Sequence, residues 1–424
     1  MLIVLPFLLF SFSLFSSLRI EMDSDHQSLK APMKLLVAVA SDNDELTQLA
    51  KIIQDNLQRS GQFIVTLDIQ EHPKTKAEIK KIFSSGYSLV TFLNHTDNNK
   101  AFEWRLYDAA EAHMVKGKKT PKSASLRSQA NVLSDELWYA LTHQPSSFSS
   151  KIAYTKRLTG SHRHQSSICL CNIDGSDNQT FIATPGSYVG LYWHTDGIGP
   201  LLFCSEFTRF NVRLISFTPS AQKKIVLDLN GTCVGISLSA DTSKAIYCRS
   251  GDIWLYAYDT VTKKGTHKCL IKNDGKNVSP TLLPNGDIIF CSDSRQLSPK
   301  SKGPHIYLYS ASKDTTEPLT KDGFCVGPAY CPRTQKLAYS KRVNGTMQIY
   351  VYDMKTKQHS QLTTDKSDKL DCCWSPCGTY LAFCYQQNRT SRIATMHATL
   401  KKRFYITPEN EYCSCPAWSS ASPT

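Results

Sequence analysis

The side chains of this chain that could do chemistry are its fifteen cysteines, a pair of loop histidines and a few serines set among glycines. Serine hydrolases carry their nucleophile in Gly-x-Ser-x-Gly. The nearest matches, Gly186-Ser187-Tyr188-Val189-Gly190 and Gly235-Ile236-Ser237-Leu238-Ser239, misplace the serine or lack the final glycine. No phosphate-binding loop, dinucleotide fingerprint or HExxH motif occurs, and Asp135 and Glu136 are helix neighbours that diverge. The residues predict no catalytic site and no cofactor.

Metal binding is the other chemistry that cysteine and histidine could provide. The close pairs Cys169/Cys171, Cys372/Cys373 and Cys413/Cys415 have no partner pair at zinc-ribbon spacing. His162 and His164 share a loop, where histidines are more often solvated. We therefore expect no metal site, with zinc kept as a minor alternative.

A repeat of 44 to 48 residues organises the last two-thirds of the chain. Its anchors are Trp193, Leu238, Leu282, Tyr330, Trp374 and Trp418. The spacing equals one four-stranded propeller blade, and turns such as Trp374-Ser375-Pro376-Cys377-Gly378 follow the anchors. Six units predict six blades. Independent hairpins in a β-sandwich are the alternative, but sandwiches show no fixed period of this length.

Each unit places an aromatic residue in its second strand, at Tyr154, Phe203, Tyr247, Phe290, Tyr339 and Phe383. The next residue is cysteine in four units, namely Cys204, Cys248, Cys291 and Cys384. Equivalent positions in different blades lie too far apart for disulfides, so these cysteines are predicted to be buried, weakly polar fillers. The disulfide state of the others stays open, and an odd count leaves at least one thiol free or intermolecular.

The two ends of the repeat are complementary. The first run begins at a second strand, at residues 151–154, and the last stops at a first strand, at Trp418. We expect the C-terminal strand to close the ring as the innermost strand of the first blade, which removes two open edges.

An α/β pattern precedes the repeat. Strands are predicted at 34–40, 63–69, 87–93 and 101–107, and helices at 76–83, at 123–142 and from a capping box of Ser41 and Asp44 to Gly61. The chain thus divides into a signal peptide at 1–17, an extended segment at 18–33, an α/β domain at 34–142, a linker at 143–150 and a six-bladed propeller at 151–424. It ends six residues after Trp418, so we expect no hydrolase domain after the propeller.

The apolar run at residues 2–18 is short for a membrane span and favours a secretory signal. It lacks a preceding basic residue and an Ala-x-Ala site, so an uncleaved anchor or a different start codon is the alternative. The formal charge of +13 is mostly spread, with small clusters at 116–119 and at Lys300 and Lys302. Because neither cluster alternates with aromatic residues, nucleic-acid binding is not expected.

The chain resembles the TolB family of the Tol-Pal envelope system over nearly its whole length. The resemblance is carried by Asp55-Asn56-Leu57-Gln58-Arg59-Ser60-Gly61-Gln62-Phe63, by Arg105-Leu106-Tyr107-Asp108, by Ser134-Asp135-Glu136-Leu137-Trp138-Tyr139-Ala140-Leu141-Thr142, and by Phe148 with Ile152-Ala153-Tyr154. Many propellers share the repeat alone, so the N-terminal motifs make the match more specific. The resemblance implies a non-enzymatic, monomeric periplasmic scaffold that supports envelope integrity, cell division and protein import.

The resemblance also implies two binding surfaces. An N-terminal segment would bind a TolA-like inner-membrane protein and consists of Leu18, Arg19, Ile20, Glu21, Met22, Asp23 and Ser24. A spacer left by signal cleavage is the alternative for this segment. A Pal-like outer-membrane lipoprotein would dock on loops that join the outermost strand of each blade to the next innermost strand. These are Ser187, Tyr188, Val189, Gly190; Thr232, Cys233, Val234, Gly235; Lys276, Asn277, Val278, Ser279; Phe324, Cys325, Val326, Gly327; Asp368, Lys369, Leu370, Asp371; and Tyr412, Cys413, Ser414, Cys415.

Three of these loops contain Val189, Val234 and Val326 and are more apolar than the family's loops. The alternative is that these valines simply begin the innermost strands. Other functions also stay open: an exported propeller that binds a small ligand or a surface receptor, or a propeller hydrolase. A small-ligand site would need inward polar side chains near the axis, and the predicted innermost strands are mostly apolar.

Overall fold

The computed structural model describes residues 32–40, 43–96, 99–123, 125–158, 165–195, 200–228, 232–259, 261–262, 264–299 and 303–420. Residues 1–31, with the predicted signal and N-terminal segment, lie outside these ranges, as do Ser41, His162, His164, Lys300 and Lys302. The chain divides into two compact units, which meet in the sequence between Gln144 and Pro145.

The first unit is a five-stranded sheet with three helices. In chain order its elements are β1 (Met33–Val39), α1 (Asp44–Arg59), β2 (Phe63–Ile69), α2 (Lys76–Ser84), β3 (Leu89–His95), β4 (Ala101–Asp108), β5 (His113–Pro121) and α3 (Leu126–Thr142). The sheet order is β2-β1-β3-β4-β5, with β1 parallel to β2 and β3 and the remaining pairs antiparallel. The basic cluster at 116–119 lies on the edge strand β5, an element that the sequence analysis missed.

The alternation of side chains along β1 shows which face of the sheet helix α2 covers. Leu36 and Ala38 of β1 pack in one cluster with Ile79 and Ile82 of α2, and the intervening β1 residues point to the other face. Helix α1 contacts α3 as well as the sheet, and the buried Asn56 side-chain amide of α1 bonds to α3. The unit is therefore a layered α/β domain.

The predicted start of α1 was wrong. Its N-cap is Asn43, whose Oδ1 accepts hydrogen bonds from the backbone N–H groups of Glu45 (2.9 Å) and Leu46 (3.2 Å). Asparagine is as good an N-cap as serine, and it stands next to the first helical residue. The predicted capping box placed the cap two residues too early.

The second unit is built from four-stranded antiparallel blades. From the innermost strand outwards, the first two blades are β28 (Cys413–Trp418), β6 (Lys151–Arg157), β7 (Ser166–Asn172) and the first part of β8 (Gln179–Thr195), then the rest of β8, β9 (Pro200–Phe207), β10 (Val212–Phe217) and β11 (Lys223–Leu227). Strand β8 is shared because it pairs with β7 up to Gly186 and with β9 from Ser187 onwards.

The other four blades are separate sheets. They consist of β12 (Cys233–Leu238), β13 (Lys244–Arg249), β14 (Asp252–Asp259) and β15 (Lys264–Ile271); β16 (Asn277–Leu282), β17 (Ile288–Ser292), β18 (His305–Ser310) and β19 (Thr315–Pro318); β20 (Cys325–Cys331), β21 (Lys336–Val343), β22 (Thr346–Asp353) and β23 (His359–Gln361); and β24 (Asp368–Trp374), β25 (Tyr380–Gln387), β26 (Thr390–His397) and β27 (Arg403–Tyr405).

The six innermost strands form a closed ring. Each contacts the next, and β28 contacts both β24 and β8. Strand β28 pairs antiparallel with β6, with Ala417 opposite Ala153 and Trp418 opposite Ile152. The predicted closure by the C-terminal strand is therefore confirmed.

The six aromatic residues of the second strands are buried. All fifteen cysteines are free thiols, and the four that follow these aromatics are buried. Three of the four also donate hydrogen bonds to backbone carbonyl oxygens of the next innermost strand: Cys248 to Asn277 (2.9 Å), Cys291 to Cys325 (3.4 Å) and Cys384 to Cys413 (3.5 Å). These thiols therefore fill space and also fix one blade to its neighbour.

The segment predicted as a linker contains buried residues. Ser147, Phe148 and Ser150 are each at most 2% exposed. The Ser147 hydroxyl accepts a hydrogen bond from the Cys377 backbone N–H, and the Ser150 hydroxyl accepts one from the Trp418 indole. Residues 147–150 therefore pack as part of the propeller unit.

Candidate functional site

The site begins with a backbone conformation that occurs once in each innermost strand. Positive φ angles of 51° to 66° are found at Gly190, Gly235, Ser279, Gly327, Asp371 and Cys415. A β-bulge accompanies each of them, because the register with the second strand shifts at that point. Each residue also lies three positions before its anchor. The repeat therefore sets a sixfold kink at one level of the ring.

These six residues are the fourth members of the six predicted quartets. The quartets were predicted as loops, and this was wrong: most of their residues belong to the innermost strands, and only Thr232, Lys276, Phe324 and Tyr412 directly precede one. The open alternative for Val189, Val234 and Val326, that they begin the innermost strands, is confirmed. We call the six quartets the docking ring, and the end of the propeller at which innermost strands begin the top face.

Burial divides each quartet in the same way. The second residue is buried in all six, at Tyr188, Cys233, Asn277, Cys325, Lys369 and Cys413. The third is half-buried, at Val189, Val234, Val278, Val326, Leu370 and Ser414. The first and fourth residues are half-buried or exposed. Eighteen of the 24 predicted residues are therefore half-buried or exposed and include a half-exposed apolar band, whereas the six second residues point into the protein.

The fourth positions are small, which leaves room at the centre of the ring. A Cβ built on Gly190 or Gly327 would have no heavy atom within 4 Å, so the backbone there is open to close approach. The Cys415 thiol donates to the Asp371 carboxylate across 3.8 Å. Burial among the surrounding strands raises the pKa of Asp371, although its side chain borders solvent. Burial likewise raises the pKa of the Cys415 thiol to about 12, so it stays protonated at neutral pH.

Aromatic residues stand at the rim in two blades. Phe324 and Tyr412 are half-buried first residues of their quartets. The Arg342 guanidinium lies 4.3 Å from the Phe324 ring centre, and the Arg157 guanidinium lies 3.7 Å from that of Tyr412. The backbone N–H of each arginine donates to the carbonyl of the aromatic residue beneath it. Both pairs combine apolar area with positive charge, a combination common at protein interfaces.

Lys369 was predicted to face a partner, and the structure contradicts this. Its side chain is fully buried, and its ammonium donates to the Asp365 carboxylate, to the Asp365 and Ser367 carbonyls and to Gln348 Oε1. Burial lowers its pKa, against the opposing effect of Asp365. The prediction failed because lysine is ordinarily a surface residue, although the equivalent residues of the other blades are buried. Lys369 therefore stabilises the conformation of the segment at 365–367, which precedes β24.

Within the described ranges, no group of three or more His, Cys, Asp or Glu side chains is placed to hold a metal ion. Among these residues, no helix is both long enough and apolar enough to span a membrane.

The fold defines a class: a six-bladed propeller closed by its own C-terminal strand and preceded in the sequence by a small α/β unit. The family described as the TolB beta propeller domain matches residues 138–422. Since this is more than half of the sequence, the chain belongs to the TolB family.

Individual relatives agree with this assignment. Tol-Pal system protein TolB of Acinetobacter baylyi is 25% identical over 177 residues, which cover 39% of this chain and 40% of that protein. Tol-Pal system protein TolB of Albidiferax ferrireducens is 23% identical over 207 residues, with coverage of 47% and 48%. The chain thus matches about half the length of these curated relatives.

The crystal structure of TolB from Acinetobacter baumannii covers 92% of this chain and 96% of its own, with a TM-score of 0.74 and 21% identity. Hydrazine synthase of Kuenenia stuttgartiensis is similar over 65% of this chain and 47% of its own, with a TM-score of 0.53 and 11% identity. At these identities the likeness concerns the fold alone.

Proposed function

We propose that this protein is a non-enzymatic periplasmic scaffold of the Tol-Pal system, which binds a Pal-like outer-membrane lipoprotein on the docking ring. The observation that carries the proposal is the sixfold kink, which gathers small residues and a half-exposed apolar band at one level of the ring. The names of the curated relatives, Tol-Pal system protein TolB, support the choice of system. The function so proposed is support of envelope integrity and cell division.

The physical argument concerns shape and exposure. A partner that enters the centre of a closed ring can contact all six blades at once, so short segments together provide a standard-sized interface. Apolar side chains such as Val278 and Leu370 are already partly desolvated by their neighbours. The aromatic–arginine pairs at the rim would then add anchors of the type that dominates binding free energy.

Calorimetric titration of the full chain with the periplasmic domain of the lipoprotein tests this proposal. We expect one-to-one binding with a negative heat-capacity change, because apolar area is buried. Absence of measurable binding at low and moderate salt would overturn the proposal. Cross-linking in intact membranes provides the second check: an outer-membrane lipoprotein is the expected product, and capture of an unrelated surface receptor instead would contradict it.

We further propose that residues 18–24 bind a TolA-like inner-membrane protein, as an extended segment that adds a strand to the partner's sheet. Support comes from sequence alone, in the alternation of apolar and acidic residues from Ile20 to Asp23. A chain without residues 18–24 should lose the inner-membrane partner and keep the lipoprotein. Mass spectrometry of the mature protein should show a start near Leu18, and an intact Met1 in the envelope fraction would contradict export with cleavage.

A further inference from the structure

A hairpin beside the docking ring presents an exposed aromatic side chain. Phe210 lies in the turn between β9 and β10 and is 91% exposed, and Phe207 at the end of β9 is 46% exposed. Single exposed apolar residues are ordinary on protein surfaces, whereas adjacent large ones commonly mark an interaction site. We call Phe207, Arg209 and Phe210 the Phe210 anchor.

The turn that carries Phe210 is cross-braced. The backbone N–H of Thr208 donates to the Asn211 carbonyl (2.9 Å), and the Thr208 hydroxyl accepts from the N–H groups of Phe210 (3.3 Å) and Asn211 (3.0 Å). The Asn211 side-chain amide donates to the Asp228 carboxylate. Because these hydrogen bonds already fix the backbone of the turn, burial of Phe210 by a partner would cost the turn little conformational entropy.

The turn lies on the top face, next to the docking ring. It joins the second strand of its blade to the third, and in an antiparallel blade this connection shares an end with the start of the innermost strand. Val212, the first residue of β10, forms a parallel bridge with Thr232, the first residue of a quartet. The Phe210 anchor therefore extends the docking ring outwards at the second and third blades.

Charge selects the kind of partner. The Arg209 guanidinium lies 5.8 Å from the Phe210 ring centre. Behind the turn, Arg213 and Lys223 share the Glu206 carboxylate, and Arg213 also contacts Asp228 at 3.6 Å. Arg209 itself is exposed. The three cations Arg209, Arg213 and Lys223 outnumber the two carboxylates Glu206 and Asp228, so the exposed aromatic side chains lie beside a net positive charge.

We propose that the Phe210 anchor inserts into an apolar pocket with an acidic rim on the protein that occupies the docking ring. This inference rests on the proposed function, because it assigns the anchor and the ring to one partner. Phe210 provides the buried area, and Arg209 provides attraction to the acidic rim. Phenylalanine and arginine are both enriched at the cores of protein interfaces, and arginine is among the commonest hot-spot residues.

The test compares Phe210→Ala with Val261→Ala, in titrations with the periplasmic domain of the lipoprotein as the probe. Val261 is a matched control, because it is 88% exposed in a turn between the third and fourth strands of its blade, which lies at the opposite end of the propeller. We expect Phe210→Ala to bind roughly ten- to a hundredfold more weakly than wild type. Val261→Ala should bind within twofold of wild type, and both variants should unfold at the wild-type urea concentration.

The outcomes separate the two proposals. If wild type binds the probe and Phe210→Ala binds equally well, the inference is wrong and the proposed function stands. If wild type does not bind, the proposed function fails and the inference fails with it. Arg209→Glu adds a readout that packing alone would not change: it should slow association at low salt and reduce the dependence of the association rate on salt.

Discussion

Removal of the Trp418 side chain tests whether the C-terminal strand closes the ring. Trp418 is 7% exposed, and its indole N–H donates to the Ser150 hydroxyl at 2.6 Å. The next residue, Ser419, exchanges two hydrogen bonds of 2.8 Å with Lys151. Trp418 therefore joins the C-terminal strand to Ser150, a residue more than 260 positions earlier in the chain.

The expected cost of Trp418→Ala follows from this burial. Truncation of a buried tryptophan to alanine costs about 3–5 kcal/mol, because transfer free energy is lost and a cavity remains. That is a large part of the ~5–15 kcal/mol that stabilises an ordinary domain. Trp374→Ala is the matched control, since Trp374 ends an internal innermost strand, is 9% exposed and donates its indole N–H to the Ala329 carbonyl at 3.0 Å.

Urea unfolding followed by circular dichroism measures both variants without depending on tryptophan fluorescence. The closed ring predicts losses of similar size, because both side chains occupy equivalent positions. Trp418→Phe should lose less, since it keeps most of the volume and sacrifices one hydrogen bond worth about 1 kcal/mol. A cost below ~1 kcal/mol for Trp418→Ala beside ~3 kcal/mol or more for Trp374→Ala would refute closure by the tail.

Two further predictions concern buried titratable groups. Burial lowers the pKa of His397 to about 4, and its Nδ1 accepts hydrogen bonds from two backbone N–H groups. In the unfolded state the imidazole becomes protonated near pH 6.5, whereas the folded state resists protonation until about pH 4. The contribution of His397 to the free energy of unfolding should therefore be complete above pH 6.5 and fall by ~3 kcal/mol as the pH drops to 4. His397→Asn keeps an acceptor and should show a shallower loss in urea titrations over this range; an unchanged slope would contradict the assignment. Lys369→Met should cost ~2 kcal/mol, because it removes the ammonium that donates to the Ser367 carbonyl and the Asp365 carboxylate and leaves them only Gln348 and Arg403 as partners. The exposed Lys366→Met should cost almost nothing, and equal unfolding midpoints of the two variants would rule this out.

Much of the fold was accessible from the sequence because the propeller repeats. Anchors at constant spacing predicted six blades, and the incomplete first and last units predicted the closure between β28 and β6. Each prediction rests on a pattern with many copies, so eroded anchors such as Leu238 and Tyr330 did not hide it. The N-terminal helices were found because apolar periodicity survives on their buried faces.

The misses were local and have physical causes. Strand β5 was not predicted, because His113–Pro121 is an exposed edge strand rich in lysine and lacks apolar alternation. The docking quartets were predicted as loops because the family resemblance places the partner on connections between blades, whereas the residues at 190, 279 and 371 adopt their positive φ at β-bulges within strands. In the same way, Asn43 caps α1 where a more distant serine fitted the capping-box pattern.

Two features depend on tertiary contacts that one sequence does not reveal. Lys369 is an ordinary surface residue in composition, and only its packing against Gln348 and Ser367 shows that it is buried. Phe210 occurs in a polar turn whose sequence reads as a solvated hairpin. An aromatic residue in such a turn was the available signal, and the structure adds its position beside the docking ring.

Substitution at the centre of the docking ring tests the central claim most directly. Ser279 is exposed and already has a positive φ of 53°, so Ser279→Trp adds bulk at a position that already accepts a side chain. Ser312→Trp adds the same bulk in an exposed turn between β18 and β19, at the opposite end of the propeller. In calorimetric titration with the lipoprotein's periplasmic domain, the docking ring predicts binding at least about tenfold weaker for Ser279→Trp and unchanged binding for Ser312→Trp. Equal affinity of the two variants, or loss only in Ser312→Trp, would contradict the assignment of the top face as the binding surface.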